Sequence, residues 1–130
     1  MTKKEHIQYW LQSAKEDADT MNYLFKGKRY VHALFFGHLY LEKICKSIWI
    51  KNNIAIHPPK IHNLLAILEQ AKFKPEEKQS VFMLKLNQYQ IEGRYSDDIA
   101  RLKKITSKEL STQYISEIKK TATCLLKELP

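Results

Sequence analysis

Residues 30–52, YVHALFFGHLYLEKICKSIWIKN, contain the pattern that decides the fold. Apolar side chains recur there every three or four residues, which is the period of an α-helix; they are Ala33, Leu34, Phe36, Leu41, Ile44, Cys45, Ile48 and Trp49. The segment is too apolar for an ordinary surface helix, so it predicts a central helix that is contacted on more than one side. Gly37 lies inside it, where glycine costs about 1 kcal/mol relative to alanine. A close approach by another helix would explain that cost.

The residues before this segment predict a long amphipathic helix. Thr2 and Glu5 have the spacing of a capping box, so this helix should begin almost at the first residue. Apolar residues then recur at helical spacing up to Phe25. Gly27 is suited to the left-handed position that follows a last helical turn.

Two further helices are predicted after His57-Pro58-Pro59-Lys60, because two successive prolines cannot continue a helix. The first is short and covers residues 61–68. The second begins near Pro75, with carboxylates in its first turn, and extends to about Gly93.

Residues 94–105 are polar and basic, and they predict a connecting loop with at most a partial turn. Thr106 and Glu109 form a second capping box, which predicts the start of the last helix. Short connections favour antiparallel neighbours. The sequence therefore predicts an all-α fold, an antiparallel up-and-down helical bundle of four long helices plus one short helix, in a single domain over residues 1–130.

The composition excludes several classes of protein. The chain has 130 residues, 44% of them hydrophobic, which suits one domain with a real core. It contains no apolar run near the ~20 residues of a membrane span, and no secretory signal is visible, so no membrane association is expected. Cys45 and Cys124 both lie in helical apolar patterns and suit buried thiols in a reducing compartment. We therefore expect a cytoplasmic protein.

The net charge of +8 permits several partners without selecting one. The excess is +5 in residues 1–65 and +3 in residues 66–130, so it is not a basic tail. Two basic clusters stand out, one at Lys26, Lys28 and Arg29 and the other at Arg101, Lys103 and Lys104. They are either solvated turns or, if the fold brings them onto one surface, a path for a phosphate backbone. The sequence leaves both interpretations open.

Several short motifs occur in an order that resembles one known family. The strongest is Leu41-Glu42-Lys43-Ile44-Cys45-Lys46, and His62-Asn63-Leu64 and Arg94-Tyr95-Ser96-Asp97 follow it. Trp10, Ala14 and Asp17 in the first helix, and Tyr30, Ala33 and Phe36 in the second, fit the same pattern. Through these motifs the chain resembles the HEPN family (higher eukaryotes and prokaryotes nucleotide-binding domain). The resemblance covers nearly the whole chain.

The resemblance implies an antiparallel helical bundle, usually a homodimer, that is associated with nucleotide or RNA binding. One branch of the family consists of metal-independent ribonucleases with an arginine followed after four to six residues by a histidine. None of the three arginines, Arg29, Arg94 and Arg101, has a histidine at that spacing. The expected function is therefore non-catalytic nucleotide or RNA binding. It includes a role as the helical component of a bacterial toxin–antitoxin-type module with a nucleotidyltransferase partner.

Two alternatives remain at this point. One is a divergent ribonuclease in which His38 or His62 replaces the usual histidine. The other is a structural helical dimer without a small ligand. No catalytic residue, metal site or cofactor is predicted, because Cys45 has no base at a suitable spacing and the glycines stand alone.

Arg94 and Tyr95 are the first candidates for nucleotide binding. A guanidinium offers a planar fork of donors to phosphate, and an aromatic ring stacks on a base. The structural alternative is that Arg94 pairs with Asp97 or Asp98 while Tyr95 covers the edge of the core.

The central helix supplies the remaining candidates. His38, Glu42 and Lys46 are spaced four residues apart, so they share one helical face. They would form a polar seam, with Lys46 on phosphate and His38 or Glu42 on ribose or base. The alternative is an internal Glu–Lys pair beside a hydrogen-bonded histidine. The resemblance adds Lys43 to the nucleotide-binding set. His62 is expected to bond to the backbone near the start of the third helix.

Overall fold

The computed structural model describes all 130 residues, Met1–Pro130, and contains only helices, turns and loops. The six α-helices are α1 Lys3–Lys26, α2 Tyr30–Asn52, α3 Leu64–Gln70, α4 Glu77–Leu86, α5 Ser96–Ile105 and α6 Lys108–Leu126. A single 3-10 turn, Asn87–Tyr89, directly follows α4. The all-α bundle predicted from the sequence is confirmed, with one helix more than expected. No helix combines the length and the hydropathy that a membrane crossing requires.

The start of α1 is as predicted, whereas its end differs. The Thr2 hydroxyl accepts from the Glu5 backbone N–H at 3.1 Å, and the Glu5 carboxylate accepts from the Thr2 N–H, also at 3.1 Å. Gly27 has a φ of −81° and is not left-handed. Lys28 takes that conformation instead, with a φ of 61°. The Gly27 N–H still bonds to the Tyr23 carbonyl at 3.1 Å, so the chain reverses one residue later than the glycine suggested.

Helix α2 is the centre of the bundle, as its composition predicts. It contacts α1, α3, α5, α6 and the 3-10 turn. Gly37 is the point of closest approach: a Cβ added there would lie 2.5 Å from Ile118 Cδ1 of α6 and 3.0 Å from Met21 Sδ of α1. The cost of a glycine inside the helix is therefore offset by the packing of α1 and α6 against α2.

The prediction of a loop over residues 94–105 was wrong, because Ser96–Ile105 form helix α5. Its apolar stripe is narrow: Leu102 is buried and Ile99 is half-buried, and most of the other side chains are exposed. Two such residues are too few to reveal a helical period. The fourth helix was also predicted too long, since α4 ends at Leu86.

The cap of the last helix lies one residue later than predicted. Ser107, and not Thr106, caps α6, and its hydroxyl accepts from the Leu110 N–H at 3.1 Å. Thr106 is buried, and its hydroxyl lies 2.7 Å from the Tyr89 hydroxyl. A tertiary hydrogen bond thus replaces the local one. Cys45 is buried as predicted, whereas Cys124 is exposed.

Candidate functional site

The polar seam predicted on α2 is part of a network that is buried at His38, Glu42 and Lys46 and reaches solvent at His62. Glu42 is at its centre, and we call the set His38, Glu42, Lys46, His62 and Asn87 the Glu42 cluster. The Glu42 carboxylate lies 3.1 Å from Lys46 Nζ, 3.1 Å from His62 Nδ1 and 3.7 Å from His38 Nδ1. Only 5% of the Glu42 side chain and 7% of the Lys46 side chain are exposed. Both charges are therefore compensated by each other and not by solvent.

His38 is held by a residue from the turn after α4. Its Nε2 lies 3.0 Å from Asn87 Oδ1, which also accepts from the Leu64 backbone N–H at 3.2 Å. Because Asn87 Oδ1 only accepts, His38 Nε2 carries the hydrogen in this bond. Burial lowers the pKa of His38, while the Asn87 hydrogen bond and the nearby Glu42 charge oppose that shift. The neutral imidazole is the form that fits this buried position.

Lys43 and Lys46, the two lysines of the Leu41–Lys46 segment, both contact other side chains. Lys46 pairs with Glu42 and lies 5.6 Å from the centre of the Trp10 ring, a cation–π contact to α1. Lys43 lies 2.7 Å from Asp17 Oδ2 and donates to the Ser13 hydroxyl at 2.6 Å. In this arrangement both lysines join α1 to α2, and each would have to leave a partner to contact a phosphate.

Arg94 and Tyr95 have different surroundings. Tyr95 is 82% exposed, so it does not cover the edge of the core. Arg94 is also exposed and forms no ion pair with Asp97 or Asp98, so this structural alternative is wrong. No hydrogen bond or ion pair links Arg94 or Tyr95 to the Glu42 cluster. The predicted site residues thus form one buried group and one exposed pair.

Two members of the Glu42 cluster were missed or misassigned at the sequence level. His62 was expected to bond to the backbone, but its Nδ1 contacts the Glu42 carboxylate. Asn87 was not predicted, because a lone asparagine after a helix gives no sign of a partner 49 residues away. Its neighbour in the structure, Asn63, could have been predicted from local sequence, because an asparagine before a helix is a common cap and Asn63 caps α3 by accepting from the Leu65 and Ala66 N–H groups.

A second site lies at the N-terminal end of α2, away from the Glu42 cluster near the middle of the helix. A pocket of about 570 Å³ opens where the chain enters this helix, and we call it the α2-start pocket. It is lined by Leu24, Lys28, Arg29, Tyr30, Val31, His32, Phe36, Lys103 and Thr106. The fold therefore brings Lys28 and Arg29 of the first basic cluster next to Lys103 of the second, while Lys26, Arg101 and Lys104 do not line the pocket.

The charges in the α2-start pocket are not compensated. None of its lining residues is a carboxylate. Lys28, Arg29 and Lys103 are exposed, and none of them forms an ion pair. This concentration of free positive charge is suited to an anionic ligand.

Other chemistry has less support in the structure. No group of three or more His, Cys, Asp or Glu side chains has the arrangement of a metal site. Complete burial raises the pKa of the Cys45 thiol well above its usual range, so this cysteine is not a nucleophile.

Comparison with known proteins gives one match. The family model described as HEPN domain matches residues 7–128, which is nearly the whole chain and includes both the Glu42 cluster and the α2-start pocket. No curated protein and no solved structure matches the chain.

Proposed function

The chain belongs to the HEPN family, a family of helical domains associated with nucleotide or RNA binding, and on this premise we propose that it binds RNA or a nucleotide without cleaving it. Arg94 and Tyr95 would contact the ligand directly. Lys43, Lys46, His38 and Glu42 would contribute by holding α1, α2 and α3 in place beside it.

One observation carries this proposal: Glu42 and Lys46 pair with each other inside the protein, whereas Arg94 and Tyr95 are exposed and free. An unpaired guanidinium contacts phosphate without first losing a partner. The neighbouring phenol ring stacks on a base, an interaction worth about 1–3 kcal/mol per base. The absence of a histidine at the ribonuclease spacing after any arginine supports binding without cleavage.

Fluorescence anisotropy with labelled single-stranded RNA, and calorimetry with ATP and GTP, test the proposal. We expect Tyr95→Ala and Arg94→Ala each to weaken RNA binding by about tenfold, in line with the loss of one stacked base or one charged contact. Tyr23→Ala is the matched control, because Tyr23 is 78% exposed but lies on α1. Binding of neither RNA nor nucleotide by the wild-type protein would overturn the proposal.

A second candidate function is supported by His62. Half of its side chain is exposed, at 50%, and its Nδ1 contacts the Glu42 carboxylate at 3.1 Å. A carboxylate that orients an accessible imidazole is an arrangement used in general acid–base catalysis, which is what RNA cleavage requires. Cleavage of RNA that disappears in His62→Ala and persists in His57→Ala would favour this ribonuclease over a binding protein.

The homodimer and the nucleotidyltransferase partner are part of the same proposal. Helix α4 leaves Val81 and Leu84 exposed, at 48% and 62%, which supports a protein contact on that helix. Sedimentation velocity measures the dimer directly, and a monomeric mass would contradict it.

Co-purification with a nucleotidyltransferase encoded by a neighbouring gene tests the two-protein module. A dimer without any RNA or nucleotide binding would instead support the purely structural alternative.

A further inference from the structure

We propose that the Glu42 cluster is a proton-operated latch on the connection between α2 and α3, residues 53–63. At neutral pH the Glu42 carboxylate holds His62, which lies at the end of that connection. When His38 takes up a proton, Glu42 bonds to His38, and His62 moves away into solvent. The inference goes beyond the proposed function, because it concerns a motion of the chain and requires no RNA or nucleotide.

The first argument is a ring nitrogen of His38 that has no partner. Its Nε2 carries the hydrogen that Asn87 Oδ1 accepts, so the neutral ring presents a lone pair at Nδ1. This Nδ1 is buried, makes no hydrogen bond and lies 3.7 Å from Glu42 Oε1. Two electron-rich atoms therefore face each other at a position that is almost closed to solvent. A proton on Nδ1 would convert this contact into a charge-assisted hydrogen bond.

The second argument is the number of cations that one carboxylate would have to serve in acid. Lys46 Nζ and His62 Nδ1 each lie 3.1 Å from the Glu42 carboxylate. With both histidines protonated, three cations would surround a single carboxylate. Like charges at such distances repel each other, and burial leaves the repulsion largely unscreened. One of the three cations must therefore leave.

His62 is the member of the cluster that is able to leave. Half of its side chain is exposed, whereas His38 is completely buried and only 7% of the Lys46 side chain is exposed. Lys46 is also held by the ring of Trp10, and His38 is held by Asn87. An imidazolium that already reaches solvent regains its hydration when it moves outward, so its departure is the least costly of the three.

The charges that act on His38 couple the two steps. They all belong to the cluster, on Glu42, Lys46 and His62, and none comes from α1, α4, α5 or α6. Burial lowers the pKa of His38, and the Asn87 hydrogen bond and the Glu42 charge raise it. The positive charge of a protonated His62 lowers the same pKa. Departure of His62 therefore makes protonation of His38 easier, and each step favours the other.

The connection that carries His62 is held by few polar contacts. No backbone N–H of residues 54–62 donates to another backbone group. His62 contacts Glu42 at one end, and the ring of His57 packs against a histidine of α1 with 5.7 Å between the ring centres. Asn63, the cap of α3, follows His62 directly. Release of His62 should therefore be detected at the start of α3.

NMR spectroscopy of the isotope-labelled protein between about pH 7.5 and pH 5.5 tests the latch, because histidines change charge in this range. The readouts are the ring signals of His38 and His62 and the backbone amide signals of residues 64–67. The variants are His38→Gln, which cannot take up the proton, and His62→Ala, which has no imidazole for Glu42 to hold. His57→Ala is the matched control, because His57 is an exposed histidine of the same connection that lies against α1.

In the wild type, the amide signals of residues 64–67 should shift with the same midpoint as the His38 ring signals, because one proton drives both changes. In His38→Gln this shift should fall to less than about a third of its wild-type size, since the proton then has no differential effect on the two states. His62→Ala should show, already at about pH 7.5, the signals that the wild type reaches at about pH 5.5. His57→Ala should titrate like the wild type.

Three results would overturn the inference. They are wild-type signals of residues 64–67 that do not change with pH, a His38→Gln variant that titrates like the wild type, and a His62→Ala variant that matches the wild type at about pH 7.5. A well-dispersed spectrum verifies that each variant is folded. If His38→Gln does not fold, the His62→Ala spectrum decides between the same outcomes.

Discussion

Two sites on α2, the Glu42 cluster near its middle and the α2-start pocket at its N-terminus, differ in whether their positive charges are paired. In the Glu42 cluster the Lys46 ammonium pairs with the Glu42 carboxylate, and only 7% and 5% of these two side chains are exposed. In the α2-start pocket the cationic groups are exposed and have no carboxylate near them. The same residue types therefore have a structural role in one place and remain available to a ligand in the other.

This contrast shows that the residues that carry the family resemblance need not be the residues that are available to a ligand. The Leu41–Lys46 segment is the strongest part of the family resemblance, yet its lysines join α1 to α2. The cations of the pocket come from two basic clusters that the sequence shows far apart, one before α2 and one in α5. Substitutions in the Glu42 cluster should therefore reduce stability more than substitutions in the α2-start pocket.

The largest effect is expected when the buried ion pair is broken. Glu42→Gln leaves Lys46 as an unpaired, buried cation, and such a change typically costs about 3–5 kcal/mol. Urea unfolding at neutral pH measures the loss. Glu117→Gln is the control, because Glu117 pairs with the exposed Lys120 at 3.5 Å. A surface pair is worth about 0–1 kcal/mol. Similar losses in the two variants would mean that the Glu42 cluster is not a special, desolvated network.

A smaller loss is expected from Asn87→Ala. Asn87 Oδ1 accepts from both His38 Nε2 and the Leu64 N–H. Removing it leaves buried donors without a partner, which costs about 1–3 kcal/mol. Gln88→Ala is the control, because Gln88 is the next residue in the same turn and forms no side-chain hydrogen bond. If both variants unfold at the same urea concentration, Asn87 does not organise the cluster.

The fold was largely predictable, because helical periods and caps are local signals. The central position of α2 was predicted from its apolar pattern, and the close approach at Gly37 was offered as the explanation for a glycine inside the helix. Helix α5 was missed because only Leu102 and Ile99 face the core. Thr106 was misassigned because its hydroxyl bonds to Tyr89, which lies 17 residues earlier. Pairings over such distances have no signature in a single sequence.

The candidate site was less predictable than the fold. The shared face of His38, Glu42 and Lys46 was correct, but a helical spacing does not tell whether that face is buried or open. The basic pocket depends on bringing Lys28 and Lys103 together, which only the packing of α5 beside the start of α2 achieves. Charge can be counted in a sequence, whereas its pairing is a property of the fold.

The third prediction concerns pH and uses the buried histidine. Burial lowers the pKa of His38 in the folded protein below its ordinary value of 6.5, so the unfolded chain binds a proton more readily. Stability from this group is fully present above about pH 6.5 and is lost as the pH falls towards the lower, folded pKa. In His38→Gln this loss should be absent, and urea midpoints at about pH 7 and pH 5 measure the difference. An equal decrease in wild type and variant would show that protonation of His38 is not its cause.

The smallest effect on stability is expected in the α2-start pocket. Lys103→Ala removes an exposed side chain without an ion pair, so the free energy of unfolding should change by less than about 0.5 kcal/mol. The same substitution should nevertheless reduce the rise in melting temperature that inorganic phosphate produces, because a ligand that binds the folded state less tightly stabilises it less. Lys104→Ala should preserve that rise. A loss of stability in Lys103→Ala comparable with that of Asn87→Ala would show that the pocket lysine is structural, and the two sites on α2 would then not differ.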